Sequence, residues 1–219
     1  MVLVTGDFRR RGLANRLLHH AMAVLVERGL TPMLDATPAG ARVYEPLGFL
    51  GLYRLQRLQA PTASQPPSVS VAPPSGVSVH KATTADLDAI AAFDAPAFGA
   101  DRAPVLAHVL ERQPERAFVA ERSGRLAGYV LARDGRAAHH PGPLVADDQA
   151  TAIALTDQAL AGIDRPVYMD VLDRHGTLRA WLAGRGFVPQ RPFTRMAYHR
   201  DKPFDDLDSI AVVAGPELG

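Results

Sequence analysis

Three consecutive arginines near the start of the chain lie between a short apolar segment and an amphipathic one. Val2–Val4 predicts a strand, Arg9–Arg11 and Gly12 follow it, and apolar residues at helical spacing predict a helix up to Gly29. The first amides of a helix have no partner within it, and the helix dipole is positive at that end. Gly12 lets the backbone approach a ligand, and the arginines add charge-assisted hydrogen bonds. These residues therefore predict a site for a pyrophosphate.

The spacing R-x-x-G-x-A, carried by Arg9, Gly12 and Ala14, resembles the acyl-CoA loop of the GNAT N-acetyltransferases. A later stretch, Leu34–Phe49, resembles that family's second signature and ends in the pattern Y-x-x-x-G-F. The resemblance implies transfer of an acetyl group from acetyl-CoA to an amine, by direct attack on the thioester. It also implies cofactor contacts at Leu3, Val4, Arg9, Arg10, Arg11, Gly12, Leu13 and Ala14.

Tyr44 opens the Y-x-x-x-G-F pattern. By the resemblance, it is the catalytic tyrosine that protonates the departing thiolate. A phenol with a pKa of ~10 lies just above an alkyl thiol at ~8.5, so this proton transfer is chemically reasonable. The alternative is a packing role, in which Tyr44 buries its ring and turns its hydroxyl outward. We name no general base, because the elements that commonly supply it in this family are absent from the sequence.

Other polar residues have simpler interpretations. The side chains within His19-His20 and within His139-His140 point in different directions, whereas a metal needs convergent ligands, so we expect surface histidines and no metal site. Asp35 and Asp173 end predicted strands, where a structural hydrogen bond is more common than catalysis. The arginines at 9–11 could also form a solvated basic turn.

A Pro/Ser/Ala-rich stretch between Gln59 and Gly76 divides the chain, because proline locks the backbone and removes donors. We expect the C-terminal half of a GNAT domain at residues 1–60, a linker at 61–76 and a second, GNAT-like domain at 77–219. The first part reads β-α-β-α-β. The second begins with a strand at Val77–Lys81, a helix opened by a capping box at Thr83 and Asp86, a helix at Ala103–Arg112 and a hairpin. The same order then returns, from a strand that begins at Leu144 to one that begins at Phe193. The fold class is α/β (α+β), a mixed central sheet flanked by helices.

A shift of 138 residues, which places Gly48-Phe49 on Gly186-Phe187, aligns the two halves as copies of one fold. The arginine loop then falls on Asp147-Asp148, which would repel phosphate, and Tyr44 falls on Leu182. The first copy lacks the opening half that the second has, so Met1 reads as an internal start, whether from a misplaced start codon, a truncated gene or a deliberate truncation. Such a copy exposes a sheet edge, and we expect it to dock on the second copy, to pair with another chain as in a homodimer, or to be only partly stable.

Composition limits the remaining function classes. The 219 residues carry a formal net charge of +1 with 21% charged residues and no cysteine, and they contain no apolar run long enough to span a membrane. We expect a cytoplasmic protein with no membrane partner. A nucleic-acid contact through the arginine loop is disfavoured, because no aromatic stacking platform accompanies it.

The predicted partner is a small-molecule or peptide amine acceptor, whose identity the sequence leaves open. The rival interpretation is a non-catalytic GNAT-like interaction module with a degenerate acyl-CoA loop.

Overall fold

The structure, a computed structural model, describes residues 4–60, 71–216 and 218. We call residues 4–60 the N-terminal region and residues 71–218 the C-terminal region. The helices are α1 (Leu13–Glu27), α2 (Pro38–Tyr44), α3 (Leu87–Phe98), α4 (Ala103–Arg112), α5 (Gln149–Leu160) and α6 (Gly176–Gly184). The strands are β1 (Met33–Ala36), β2 (Phe49–Ala60), β3 (Val77–Lys81), β4 (Phe118–Arg122), β5 (Arg125–Asp134), β6 (His139–Ala146), β7 (Val167–Leu172), β8 (Val188–Tyr198) and β9 (Ile210–Val212).

Within these ranges the strands form one nine-stranded sheet in the order β1-β8-β2-β7-β9-β6-β5-β4-β3. Strand pairs are antiparallel, apart from a parallel contact between β6 and β7 at His139 and Val167. The sequence prediction of a mixed sheet flanked by helices is confirmed. None of the described helices is long and apolar enough to cross a membrane.

The strands of the two regions alternate along one side of the sheet. Strand β8 pairs with β1 on one edge and with β2 on the other, and β2 in turn pairs with β7. At the outermost pair Asp35 lies opposite Arg195, and further along Leu55 lies opposite both Phe193 and Leu172. The N-terminal region therefore docks on the C-terminal region through shared backbone hydrogen bonds, the first of the three outcomes expected from the sequence.

Helices cover both faces of this sheet. Alternate residues of a strand point to opposite faces, and in β5 Val130 joins a cluster with α5 and α6, whereas Tyr129 joins one with α3 and α4. A third, smaller cluster lies around Met22 of α1 and Phe49 of β2. Only Met22 of α1 is fully buried, so this helix packs far less closely than α5, in which seven residues are buried.

The sequence located most elements, and the exceptions have physical causes. Helix α4 and strand β3 have the predicted bounds, and the capping box at Thr83 and Asp86 is present. Strand β6 begins at His139 rather than Leu144, and β8 begins at Val188 rather than Phe193, because pairing with neighbours extends strands through prolines that favour loops. Strand β9 was not predicted. Of the strand predicted at Val2–Val4, only Val4 lies within the described residues, and it is outside any strand.

Candidate cofactor and catalytic site

The start of α1 has the form that the sequence predicted for an anion site. A short 3₁₀ turn, Gly6–Phe8, leads through the arginines to Gly12, which adopts φ +71° and directly precedes the helix. No side chain in the described part of the chain caps the helix at this point. The amides of its first turn, including those of Leu13 and Ala14, therefore remain available as hydrogen-bond donors.

The three arginines of this loop are exposed. The Nε of Arg9 donates to the carbonyl oxygen of Val4 at 3.1 Å, which folds the loop back on itself. The guanidinium of Arg11 lies 5.4 Å from the centre of the Phe8 ring. Among the described residues neither Arg10 nor Arg11 forms a hydrogen bond or an ion pair, so both cations face solvent beside the uncapped helix end. Leu3, the remaining predicted contact, lies outside the described residues.

Tyr44 is the last residue of α2 and is half-buried. Its ring packs edge-on against Phe49, with 5.8 Å between the ring centres, in the cluster that also holds Met22 of α1. A Cβ built on Gly40, one turn earlier, would lie 3.3 Å from the Tyr44 ring, so the glycine leaves room for the tyrosine. The structure thus brings Tyr44 and α1 into one cluster, although no described contact joins the hydroxyl to the arginine loop.

The strongest polar cluster near β1 was only partly visible in the sequence. Arg195 makes two hydrogen bonds to Asp35, of 2.8 and 2.9 Å, and the structural role predicted for Asp35 is confirmed. The hydroxyl of Tyr53 donates to Asp205 at 2.7 Å. Burial alone would lower the pKa of Arg195, but the contacts with Asp35 raise it, so this guanidinium is charged. Arg195 is 160 residues from Asp35, and no local pattern links them.

Under the 138-residue shift, the start of α1 corresponds to the start of α5 in the C-terminal region. A side chain caps the helix there. Asp148 precedes α5, and its carboxylate accepts a hydrogen bond from the Thr151 amide at 2.8 Å. Arg122 pairs with the same carboxylate. Burial would raise the pKa of Asp148, but the hydrogen bonds from Thr151 and Arg122 lower it. An anionic side chain therefore already occupies the positive end of this helix.

In the C-terminal region the gap between the neighbouring strands β6 and β7 is filled by a third strand. These two strands run parallel and touch only at one residue pair, and β9 lies between them. Val212 pairs with Leu144 on one side and with Val171 on the other, and all three side chains are fully buried. Leu182, onto which the predicted 138-residue shift places Tyr44, is fully buried as well. The C-terminal region has apolar packing where the N-terminal region has an exposed loop and a tyrosine.

The histidine prediction holds for one pair only. His19 and His20 are exposed on α1, as expected. His139 is not a surface residue: it is buried at the start of β6, and its Nδ1 lies 2.7 Å from the Gln113 side-chain amide. Burial lowers its pKa. The expectation failed because β6 begins earlier than predicted and carries His139 into the sheet.

Comparison with known proteins supports the family. The acetyltransferase (GNAT) domain family matches residues 90–210, which lie in the C-terminal region. An uncharacterized N-acetyltransferase, YitH, from Bacillus subtilis is 23% identical over 98% of this chain and 74% of its own length.

Two solved structures share the fold. The crystal structure of a putative acetyltransferase from Pyrococcus horikoshii superposes with a TM-score of 0.74 at 21% identity, covering 99% of this chain and 69% of the other. A tandem GNAT protein from the clavulanic acid biosynthesis pathway gives a TM-score of 0.52 at 19% identity, covering 89% and 72%. The class of protein that the fold and the family match define is therefore clear: this chain belongs to the GNAT acetyltransferase family.

Proposed function

We propose that this chain is an N-acyltransferase that transfers an acetyl group from acetyl-CoA to the amine of a small molecule or peptide. The observation that carries the proposal is the start of α1, where an uncapped helix end lies beside exposed arginines. A diphosphate is the part of acetyl-CoA that such a site would hold, because it needs several donors and positive charge at once.

We further propose that the two regions are related GNAT copies, the first represented by its C-terminal half. Support comes from the sheet, in which β1 and β2 alternate with β8 and β7 in the order β1-β8-β2-β7. Under the 138-residue shift β1 corresponds to β7, and β2 to β8. Each copy thus contributes a strand to the other, and a related tandem arrangement is named for the clavulanic acid pathway protein.

In the proposed reaction, acetyl-CoA supplies an activated thioester. Arg9, Arg10 and Arg11, with the first amides of α1, would hold its diphosphate, and Leu3 and Val4 are the further cofactor contacts that the sequence predicts. The neutral amine attacks the thioester carbonyl carbon, the carbon–sulfur bond breaks, and the amine loses a proton to solvent. Tyr44 would donate its hydroxyl proton to the departing thiolate and regain one from water.

The C-terminal region has a different role in this proposal. Its helix start is capped by Asp148, its interstrand opening is filled by β9, and Leu182 replaces the tyrosine. We assign it a structural role, in which it supports β1 and β2 and leaves cofactor binding to the N-terminal region.

A second candidate is a non-catalytic interaction module. The observation that favours it is the apolar surface of the N-terminal region, where Leu17 and Val26 of α1 and Val43 of α2 are each about half exposed. Exposed apolar side chains are a common feature of interaction surfaces. The two candidates differ in one respect that can be measured, because only the enzyme depends on the Tyr44 hydroxyl.

The experiment that tests the proposed cofactor site is titration calorimetry with acetyl-CoA. We expect the wild-type chain to bind, and the double variant Arg10→Glu/Arg11→Glu to bind at least about tenfold more weakly, because it reverses two charges beside the diphosphate. Arg125→Glu is the matched control, since Arg125 is also exposed but lies at the start of β5. Absence of binding by wild type, or equal weakening by the control, would overturn the assignment.

A further inference from the structure

In the part of the chain that the structure describes, strand β1 has a free outer edge. It is the last strand on its side of the sheet and pairs only with β8. The Tyr198 amide donates to the Pro32 carbonyl at 3.0 Å. Because the direction of hydrogen bonding alternates along an antiparallel strand, the backbone groups of Met33 and Asp35 point away from β8. This edge therefore offers donors and acceptors to another strand.

The main chain at this edge reaches the surface. The side chain of Asp35 is only 1% exposed, because it is held by Arg195, yet the residue as a whole is partly exposed. Its exposed surface is therefore that of the backbone. A backbone that is accessible in this way can form hydrogen bonds without any rearrangement of the buried ion pair.

Two cavities adjoin β1, and Met33 and Phe98 line both of them. The smaller has a volume of about 220 Å³ and the larger a volume of about 410 Å³. Their other apolar lining residues of substantial size come from both regions of the chain: Leu25, Leu30, Leu34, Phe204, Pro216 and Leu218. The side chains of a strand that lies against β1 would thus find apolar space beside the edge. We call the free edge and these two cavities the β1 groove.

The C-terminal region contains a strand in the equivalent position. Under the proposed 138-residue shift β1 corresponds to β7, which pairs with β2 on one side, as β1 pairs with β8, and with β9 on the other. Strand β9 is a short extended segment, Ile210–Val212, whose three side chains are buried. Just after it, the amide of Val213 donates to the carbonyl of Asp170 in β7 at 3.1 Å. The matching occupant for β1 is an extended segment with small and β-branched apolar side chains.

We infer that the β1 groove binds an extended apolar polypeptide segment, which adds a strand antiparallel to β1. Its backbone forms hydrogen bonds with Met33 and Asp35, and its side chains enter the two cavities. In this mode of recognition main-chain hydrogen bonds supply affinity, and pockets for alternate side chains supply specificity. The choice of occupant rests on the proposed correspondence of β1 with β7, whereas acetyl transfer has no part in it.

The probe is an acetylated and amidated peptide with the sequence of residues 208–214, which contains β9. It is titrated by calorimetry into the full chain without acetyl-CoA, so that the result is independent of the proposed reaction. Two further peptides carry one N-methyl group each, at the amide of Val213 or at that of Val212. No binding of the unmethylated peptide would overturn the inference.

The two methylated peptides test whether binding uses one edge of the peptide backbone. Methylation at Val213 should weaken binding at least about tenfold, because this amide faces the neighbouring strand in β9, and its hydrogen bond is lost. Methylation at Val212 should change the affinity by less than about twofold, because that amide faces the opposite way. Equal losses from the two N-methyl groups would contradict strand addition and overturn the inference.

Amide hydrogen exchange locates the bound peptide. A saturating concentration should slow the exchange of the Met33 and Asp35 amides at least about tenfold more than that of Leu34 and Ala36, which already face β8. Protection of Met33 and Asp35 before the peptide is added would show that the edge is already paired. Uniform slowing of all four amides would show that the peptide does not contact this edge, and either result would overturn the inference.

A pair of variants tests the larger cavity. Leu30→Asn should weaken the unmethylated peptide about fivefold, because Leu30 lines that cavity and apolar contact is lost. Leu17→Asn is the matched control, since Leu17 is a leucine of similar exposure, 55% against 53%, that lines neither cavity. Equal effects of the two substitutions would place the peptide elsewhere and overturn the inference. Loss of peptide binding would leave the proposed acyl transfer standing, because acetyl-CoA binding is measured in a separate titration.

Discussion

The two regions of this protein use similar elements in opposite ways. In the N-terminal region α1 begins at a glycine with free amides and exposed arginines, and α2 ends in a half-buried tyrosine. In the C-terminal region α5, which corresponds to α1 under the proposed 138-residue shift, is capped by Asp148, and the same shift places the buried Leu182 at the position of Tyr44. The N-terminal region therefore leaves polar groups exposed at these positions, whereas in the C-terminal region one of them caps a helix and the other packs in the core.

The contrast at these positions shows that a strand-helix order does not by itself define an acyl-CoA site. Family membership is established over residues 90–210, whereas the residues that we propose for the cofactor precede that range. A family match and a proposed site can thus lie in different parts of one chain. Function has to be argued from the side chains at each position.

The largest effect that would test this contrast is on catalysis. If Tyr44 is the proton donor, Tyr44→Phe should reduce the turnover number by about 10²- to 10⁴-fold while leaving the affinity for acetyl-CoA within about twofold. Release of the CoA thiol in the presence of a panel of primary amines measures turnover, and calorimetry measures affinity. Tyr198→Phe is the control, because Tyr198 contacts the same Phe49 ring at 5.8 Å. Equal losses in both variants would make Tyr44 a packing residue and favour the interaction module.

The next effect concerns the ion pair that joins the regions. Asp35→Ala leaves the buried Arg195 guanidinium without its principal partner and should lower the free energy of unfolding by about 3–5 kcal/mol. Asp173→Ala, at the corresponding position, breaks a pair with Arg179 in which the Asp173 side chain is 39% exposed, so we expect at most about 1 kcal/mol. Urea unfolding of both variants measures the difference. Similar values for the two would show that the regions are not held together at this pair.

The smallest expected effect is on the free energy of unfolding. Its dependence on pH should differ between variants at the two helix starts. Asp148→Ala removes a cap and should cost about 1 kcal/mol at pH 7. The pKa of Asp148 is lower in the folded than in the unfolded chain, so its contribution is present above pH ~3.9 and is lost as the pH falls through the folded value. The penalty of Asp148→Ala should shrink accordingly when urea unfolding is repeated at decreasing pH.

Gly12→Ala provides the comparison at the other helix start. It should also cost about 1 kcal/mol, because alanine disfavours the left-handed backbone at Gly12, but this cost involves no titrating group and should not change with pH. A penalty for Asp148→Ala that persists unchanged in acid would contradict the capping role of the carboxylate.

The sequence predicted those features that depend on neighbouring residues. Periodic apolar residues located α1, and glycine with φ +92° at position 48 ends the segment that carries Tyr44. The open helix start at Gly12 was likewise predicted from residues within one loop. These features were accessible because helix periodicity and helix ends are local properties of the chain.

Features that depend on distant residues were not predicted. Strand β9 has only three residues, and it forms because Val212 fits between β6 and β7. His139 was expected at the surface, because its burial results from sheet pairing rather than from its own type. The pairing of Arg195 with Asp35 requires a strand register that no local signal in the sequence provides.

The alternation of β1, β8, β2 and β7 has a consequence for how the chain folds. Each of these pairings joins segments more than 100 residues apart, so the corresponding hydrogen bonds can form only after a long loop has closed. High contact order slows folding, and β1 and β2 cannot complete their ladders until β7 and β8 exist. During synthesis β1 and β2 therefore remain without these pairing partners until β7 and β8 have emerged from the ribosome.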